Sequence, residues 1–434
     1  MKNQCASLRA GLLALALLSV PSALAADWNW LPASGKWEEP ANWDAGSVPA
    51  GTATNFAYIA NGGTCLIDDA TPWLANQPGE FKGKLYVGGS GGSGTLALSV
   101  SNAPSRGLNS LHTLVVGDAS FGSASLSGGG GAKVRTGNTL NIGQNAGGTG
   151  VVDVACGYLG GYVTRLGYNG GRGSLNLSGG VFDCDTGGTF GDKAGVATAT
   201  LSGGTFRANH LRIYGDGPAP CRFDIQDASV VFNVRGDHAL AVYALARNGI
   251  LIGSSASSRV QLAAVPGTVI QFTRNCDADV DIRCAGATAA ADLEGLNNIT
   301  FEYSKNNRIA DSSGDTPGNR LSQLEIGCAD MRAKPAGFVG NFALDGLILR
   351  TPGAADATYT GTNTVQLVDR YANAGVQGSE VLYVKTVLLE ERTVLDLNGK
   401  TLYYHEGAFA AGTVLNGTPV QVPRNDPTTL IAIR

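Results

Sequence analysis

The sequence predicts an all-β chain: a parallel β-helix (β-solenoid) with an N-terminal cap and irregular C-terminal coils. An apolar-Gly phrase recurs as Val87-Gly88, Val116-Gly117, Ile142-Gly143, Leu166-Gly167, Phe190-Gly191 and Tyr214-Gly215, at glycine intervals of 29, 26, 24, 24 and 24. A second phrase follows in near-constant phase, as SLSGGG at 125–130, DVACGYL at 153–159, NLSGGVF at 176–182 and TLSGGTF at 200–206. Two phrases held in register over several copies are the mark of a stacked repeat. Composition agrees: glycine supplies 62 of 434 residues and charged residues only 15%, against usual shares of about 7% and about 25%.

The first element is an export signal. Lys2 and Arg9 precede an apolar run from Ala10 to Val20, then Pro21 and Ala23-Leu24-Ala25, which reads as a secretory signal peptide over residues 1–25. The mature product is then extracellular or at the cell surface, with the periplasm as the alternative. No later apolar stretch approaches the roughly 18 to 20 residues that a membrane-spanning helix needs. The formal net charge of −4 offers no electrostatic attraction for nucleic acid. A hydrophobic share of 43% permits a packed core and argues against disorder.

Residues 26–84 form the expected cap segment. All five tryptophans lie early, at 28, 30, 37, 43 and 73. A solenoid needs its first coil covered, because an open sheet edge invites pairing with other chains. The same cluster could instead make a sugar-stacking platform, for which Trp28, Trp37 and Trp43 are the candidates.

Residues 85–235 carry the regular coils of about 24 residues. Leu175-Asn176-Leu177 alternates apolar and polar as a half-buried strand does. Gly-rich pieces such as Tyr168–Gly173 suit turns. Coil-on-coil stacking places Leu175 against Ala199 and Phe223, Leu177 against Leu201 and Ile225, and Phe182 against Phe206 and Val230, with Asn176, Thr200 and Asp224 outward. A β-sandwich of similar hairpins is the competing fold, but sandwich strands have no reason to keep both phrases in phase. Over residues 236–434 strict repetition fades, yet NNITFEYS, SQLEIGC, DGLILR, TVQLVD and TVLDLNGKTLYY remain strand-like. Irregular coils are expected to about residue 420.

Chemistry-bearing motifs are sparse. Removal of the signal leaves seven cysteines, an odd number, with no CxxC pair to suggest a thiolate metal site or redox motif. CDADVDIRC at 276–284 places Asp277, Asp279 and Asp281 on one face of a strand, a weak candidate for Ca²⁺. The EF-hand positions for glycine and glutamate are instead Ile282 and Thr288, so a solvated acidic strand pinned by a Cys276–Cys284 disulfide is preferred. Matches to GxGxxG and GxSxG within 88–94 follow from glycine content alone, since no helix-forming segment follows them. His112, His210, His238 and His405 are widely spaced and form no metal motif. Arg235-Gly236-Asp237 reads as a turn. No cofactor is expected.

The pattern apolar-x-Val-Gly, Gly-rich turn, Leu-x-Leu-Ser-Gly-Gly over residues 85 to about 215 resembles the autotransporter-type repeat of bacterial exported proteins, found also in proteins with a C-terminal sorting signal. WEEPANWDAGSVP at 37–49 is similar to that group's N-terminal entry, and LYVKTVLLEERTVLDLNGKTLYYHEGAF at 382–409 resembles its C-terminal coils. The resemblance implies a secreted or surface-displayed β-helical stalk or passenger. Two departures accompany it: TTLIAIR at 428–434 lacks an aromatic terminus after a series of membrane strands, and no apolar helix with a basic tail supplies a sorting anchor.

The expected function is therefore a structural or adhesive β-helix without catalytic activity, its partners being cell-surface components or polysaccharide. The alternative is a polysaccharide lyase or hydrolase, which needs carboxylates and a base or cation converging in a groove. A carbohydrate-binding module built on the Trp cluster is the third class.

Overall fold

The computed structural model describes residues 27–69, 81–101, 106–235, 248–255, 257–273, 278–284, 292–304, 321–351, 362–374 and 378–424. The expected signal peptide, Trp73, Cys276 and Asp277 lie outside the described residues, as do His238 and the Gly236-Asp237 part of the tripeptide.

The chain is a parallel β-helix, and its ladders run parallel from the first coil to the last. One coil explains the rest. Strand Arg172–Leu177 forms the first face, with Leu175 and Leu177 inward and Asn176 exposed. A three-residue Ser-Gly-Gly turn follows, in which Gly180 adopts φ 64°, a conformation that a side chain disfavours. Strand Val181–Asp192 then bends in its middle and supplies two faces. Its first half pairs with Thr205–Ala208 and its second with His210–Ile213.

The interior is filled by ladders of like side chains. Leu175 pairs with Ala199, which pairs with Phe223, and Leu177 with Leu201, which pairs with Ile225. On the third face a ladder runs Ile59, Val87, Val116, Ile142, Leu166, Phe190, Ile213, Ile252 and Ile282. One expectation needs correction. Phe206 stacks on Phe232 rather than Val230, because five residues separate Ile225 from Val231 where three separate Leu177 from Val181.

Beyond residue 235 the second and third faces continue without a break in pairing, through Thr268–Thr273, Ile299–Ser304, Leu344–Arg350 and Leu382–Leu389 on one side. The first face stops at Val260–Ala264. Above it the 3₁₀ helix Glu294–Asn298 takes the strand's place, and the Asn298 amide donates to the Ala264 carbonyl at 2.7 Å. The final described strand is Val420–Gln421.

At the other end, Trp28, Trp30, Trp37 and Trp43 are buried to 7% exposure or less. Their rings pack edge-on, with centroids 5.0 Å apart for Trp30–Trp43 and 4.9 Å for Trp37–Trp43, while Phe81 closes against Trp28 and Trp37. The cluster is the apolar plug of the first coil. Trp28, Trp37 and Trp43, the candidates for a sugar platform, are 7%, 0% and 1% exposed, which leaves a ligand little ring surface to stack on.

Candidate functional site

The site begins with a missing side chain. On the second face, strands Ala132–Ile142, Tyr158–Tyr168 and Val181–Asp192 lie side by side, and Gly160 sits between Arg135 and Asp183 in register. The outward row therefore has a gap one residue wide, flanked by coils about 4.8 Å away on either side. The Tyr158 ring leans over it; a Cβ added at Gly160 would lie 2.5 Å from the Tyr158 hydroxyl.

The ring thus fills the gap, and beside it is a cavity of about 440 Å³ lined by Gly130, Gly131, Ala132, Lys133, Arg135, Tyr158, Asp183 and Asp185. Arg135 reaches across two coils to Asp185 at 2.9 Å, its own side chain half exposed and that of Asp185 only 13% exposed. The Tyr158 hydroxyl donates to Asp183 at 3.2 Å, and Asp183 is 3% exposed. The Lys133 ammonium stands 5.6 Å from the centre of the Tyr158 ring, a favourable cation–π placement. Arg207 follows Asp183 in the same row of the next coil.

The electrostatics are balanced. Two cations and two carboxylates line one cavity, so it favours neither a lone anion nor a lone cation. Burial, together with Asp183, raises the Tyr158 hydroxyl well above its ordinary value, and that oxygen remains a donor across physiological pH. The hydrogen bond from Arg135 to Asp185 holds the guanidinium charged.

Sequence motifs do not single out these residues. The signal lies in the repeat itself: aligning copies on the Gly-rich turn stacks Lys133-x-Arg135, Tyr158-x-Gly160 and Val181-x-Asp183 in one row. A glycine where neighbouring copies carry charge marks the gap.

The acidic strand is a different kind of place. Asp279 and Asp281 do share the outward side of Ala278–Ile282, while Val280 and Ile282 are buried. Asp279 accepts the Gln323 N–H at 3.1 Å. Asp281 pairs with Arg283 at 3.2 Å and Arg370 at 3.1 Å, and Arg283 lies 4.6 Å over the Tyr371 ring. One coil on, Glu325 accepts the backbone N–H groups of Arg370 and Tyr371, each at 2.8 Å. These contacts tie three successive coils together through arginine and backbone donors. Among the described residues no group of three His, Cys, Asp or Glu side chains is placed to hold a metal ion.

Cys65, Cys156, Cys184, Cys221, Cys284 and Cys328 are free thiols. Cys284 is buried, 3.8 Å from the Ile252 carbonyl, and burial pushes its thiol up to about 12.

Comparison with protein-family models, with curated proteins and with solved structures finds no match to this chain.

Proposed function

We propose that the chain is an exported, surface-displayed or secreted β-helix with a structural or adhesive role and no catalytic activity. The observation that carries this reading is how the regular coils use their outward polar groups. Asp118 accepts from Asn145 at 2.7 Å, and Asn145 accepts from Asn169 at 2.8 Å. Asp153 accepts from Asn176 at 2.7 Å, and the Thr95 and Ser123 hydroxyls meet at 3.0 Å. Each bond joins one coil to the next. Side chains engaged in this way stiffen a rod, and the two carboxylates among them, Asp118 and Asp153, are taken up by asparagine amides of the next coil, whereas acid–base catalysis needs a carboxylate aimed at a substrate.

The test is direct. The purified protein is incubated with acidic and neutral polysaccharides while unsaturated products and reducing ends are followed. No turnover is expected, and replacing Asn145 or Asn169 by alanine is expected to lower the thermal midpoint modestly. Turnover that disappears in a folded Asp279→Ala or Asp281→Ala variant would overturn the reading in favour of a polysaccharide lyase or hydrolase. One observation favours that second reading: Asp279, Asp281 and Arg370 do converge on one outward face.

A further inference from the structure

We infer that the cavity beside Tyr158 is a binding site for one sugar unit of an uncharged glycan. The inference deepens the adhesive reading and rests on it for the ligand's supply, but its geometry stands separately.

The shape comes first. Three adjacent coils present one row, and at the middle coil Gly160 leaves the room that the Tyr158 ring fills. Beside that ring a cavity of about 440 Å³ falls within the size of ordinary small-ligand pockets. Its span of two inter-coil spacings, roughly 10 Å, fits a sugar ring with its exocyclic groups.

The chemistry comes second. An ion would be served by an excess of one charge, yet here Lys133 and Arg135 face Asp183 and Asp185. Sugar hydroxyls are both donors and acceptors. They suit a wall that offers carboxylate acceptors on one side and ammonium, guanidinium and phenol donors on the other. The Asp183 carboxylate at the floor is almost fully enclosed. Its hydrogen bonds to hydroxyls would be charge-assisted, and so stronger than those of a neutral acceptor. Tyr158 adds an aromatic body beside a polar tip.

The selectivity follows. Because Lys133 and Arg135 already offset Asp183 and Asp185, a uronic acid unit would add one uncompensated negative charge, so uncharged units are preferred. Binding consumes no bond and needs no co-reactant.

The experiment uses the full mature chain and four probes: cellotetraose, mannotetraose, N-acetylchitotetraose and, as the charged comparator, tetragalacturonate. Saturation-transfer NMR and calorimetry read binding, and released reducing ends read turnover. At least one uncharged tetramer is expected to bind with Kd below about 1 mM, and tetragalacturonate at least tenfold more weakly. Asp183→Asn and Gly160→Ala are each expected to weaken binding at least tenfold. Because Asp183 is buried and its variant can fail to fold, Tyr158→Phe and Lys133→Ala serve as second variants, each expected to weaken binding severalfold with an unchanged circular dichroism spectrum. Absence of binding by all three uncharged tetramers at 10 mM (on the order of the weakest useful affinity), preference for tetragalacturonate, or binding unchanged in all folded variants would each overturn the proposal. The first of those results leaves the structural role intact. Turnover of a bound tetramer, lost in the same variants, would uphold the sugar site and overturn the non-catalytic reading instead.

Discussion

At Gly167 two demands coincide. Its backbone has φ 61°, where a side chain costs about 1–2 kcal/mol, and an added Cβ would sit 2.0 Å from the Val196 carbonyl oxygen of the next coil. Gly88, Gly117 and Gly143 repeat the arrangement, with φ of 74°, 73° and 69° and a neighbouring carbonyl within 2.2 Å of the added atom. This is why the apolar-Gly phrase recurs: the chain turns a corner where the next coil passes too close for any β-carbon. Gly399 has φ 73° with nothing within 4 Å of an added Cβ. Gly399→Ala should therefore cost about 1 kcal/mol, the backbone term alone, and Gly167→Ala clearly more, since the neighbouring coil must also move. Chemical denaturation of the two variants compares them, and equal losses would refute the close-approach explanation.

A second residue-scale prediction concerns pH. Burial, with Asp281 nearby, pushes Glu325 up to about 8, and burial pushes Glu380 up to about 7. Both are carboxyls whose ordinary value is 4.5, so between that value and the raised one the folded protein holds more protons than the unfolded chain. Stability contributed by these groups is present at low pH and falls as pH rises. His210 works in the opposite sense. Burial and the charge of Arg212 lower it from 6.5 to about 4, so its contribution grows as pH rises through that interval. At pH 6.5 the unfolded-state histidine is half protonated and its opposing contribution fades within about one unit above that, whereas the two carboxyls act across the range and outweigh it. The thermal midpoint should accordingly fall from pH 6.5 to 8.5. Glu325→Gln keeps an oxygen for the Arg370 and Tyr371 N–H groups while removing the titration, and should flatten that fall. A midpoint that rises over this range in the parent protein would contradict the assignment.

At the scale of the coil, the inward ladders are the cohesive unit. Phe206 is fully buried and meets Phe182 at 5.8 Å, Phe190 at 6.2 Å, Phe223 at 5.7 Å and Phe232 at 4.9 Å between ring centres. Phe206→Ala removes the ring at the centre of this group and should cost about 3–5 kcal/mol. Phe121, at 47% exposure, serves as the outward control, and Phe121→Ala should stay within about 0.5 kcal/mol. Denaturation midpoints that shift alike for the two would mean that the ladder is not where the stability resides.

The same ladders show what was legible in the sequence. Leu175, Leu177 and Phe182 could be placed because a fixed interval of 24 residues carries each to its neighbour above. Where a turn gains residues the interval misleads: 24 residues on from Phe206 stands Val230, whereas the strand brings Phe232 to that place. The coil containing Ile252-Gly253 belongs to the series too, with Gly253 at φ 78°. Its 39 residues from Ile213 conceal it from any count of period. The Trp cluster was legible as a cap because apolar mass must cover the first coil. The cavity beside Tyr158 was not, since its lining comes from three copies that become neighbours only when the copies are stacked.

For the whole molecule, stacking means that each coil is supported chiefly by the one before and the one after it, as in other linear repeats. Tryptophan gives a way to test this. All five lie between residues 28 and 73, and the four described ones are buried in the first coil, so tryptophan fluorescence reports the cap while far-ultraviolet circular dichroism reports every coil. Leu201 lies far from the cap along the axis, fully buried between Leu177 and Ile225. Leu201→Asp would set a carboxylate between these apolar side chains without a partner, a cost of several kcal/mol. Nearest-neighbour support predicts a local result. Amide hydrogen exchange should accelerate over the strands between Arg172 and Ile225, and circular dichroism should lose part of its strand signal, while the blue-shifted emission of the buried tryptophans stays where it was. A protein that unfolds as one cooperative block would instead lose protection everywhere and expose the tryptophans at the same denaturant concentration as the central coils. That outcome would place long-range coupling, rather than coil-to-coil stacking, at the origin of the fold's stability.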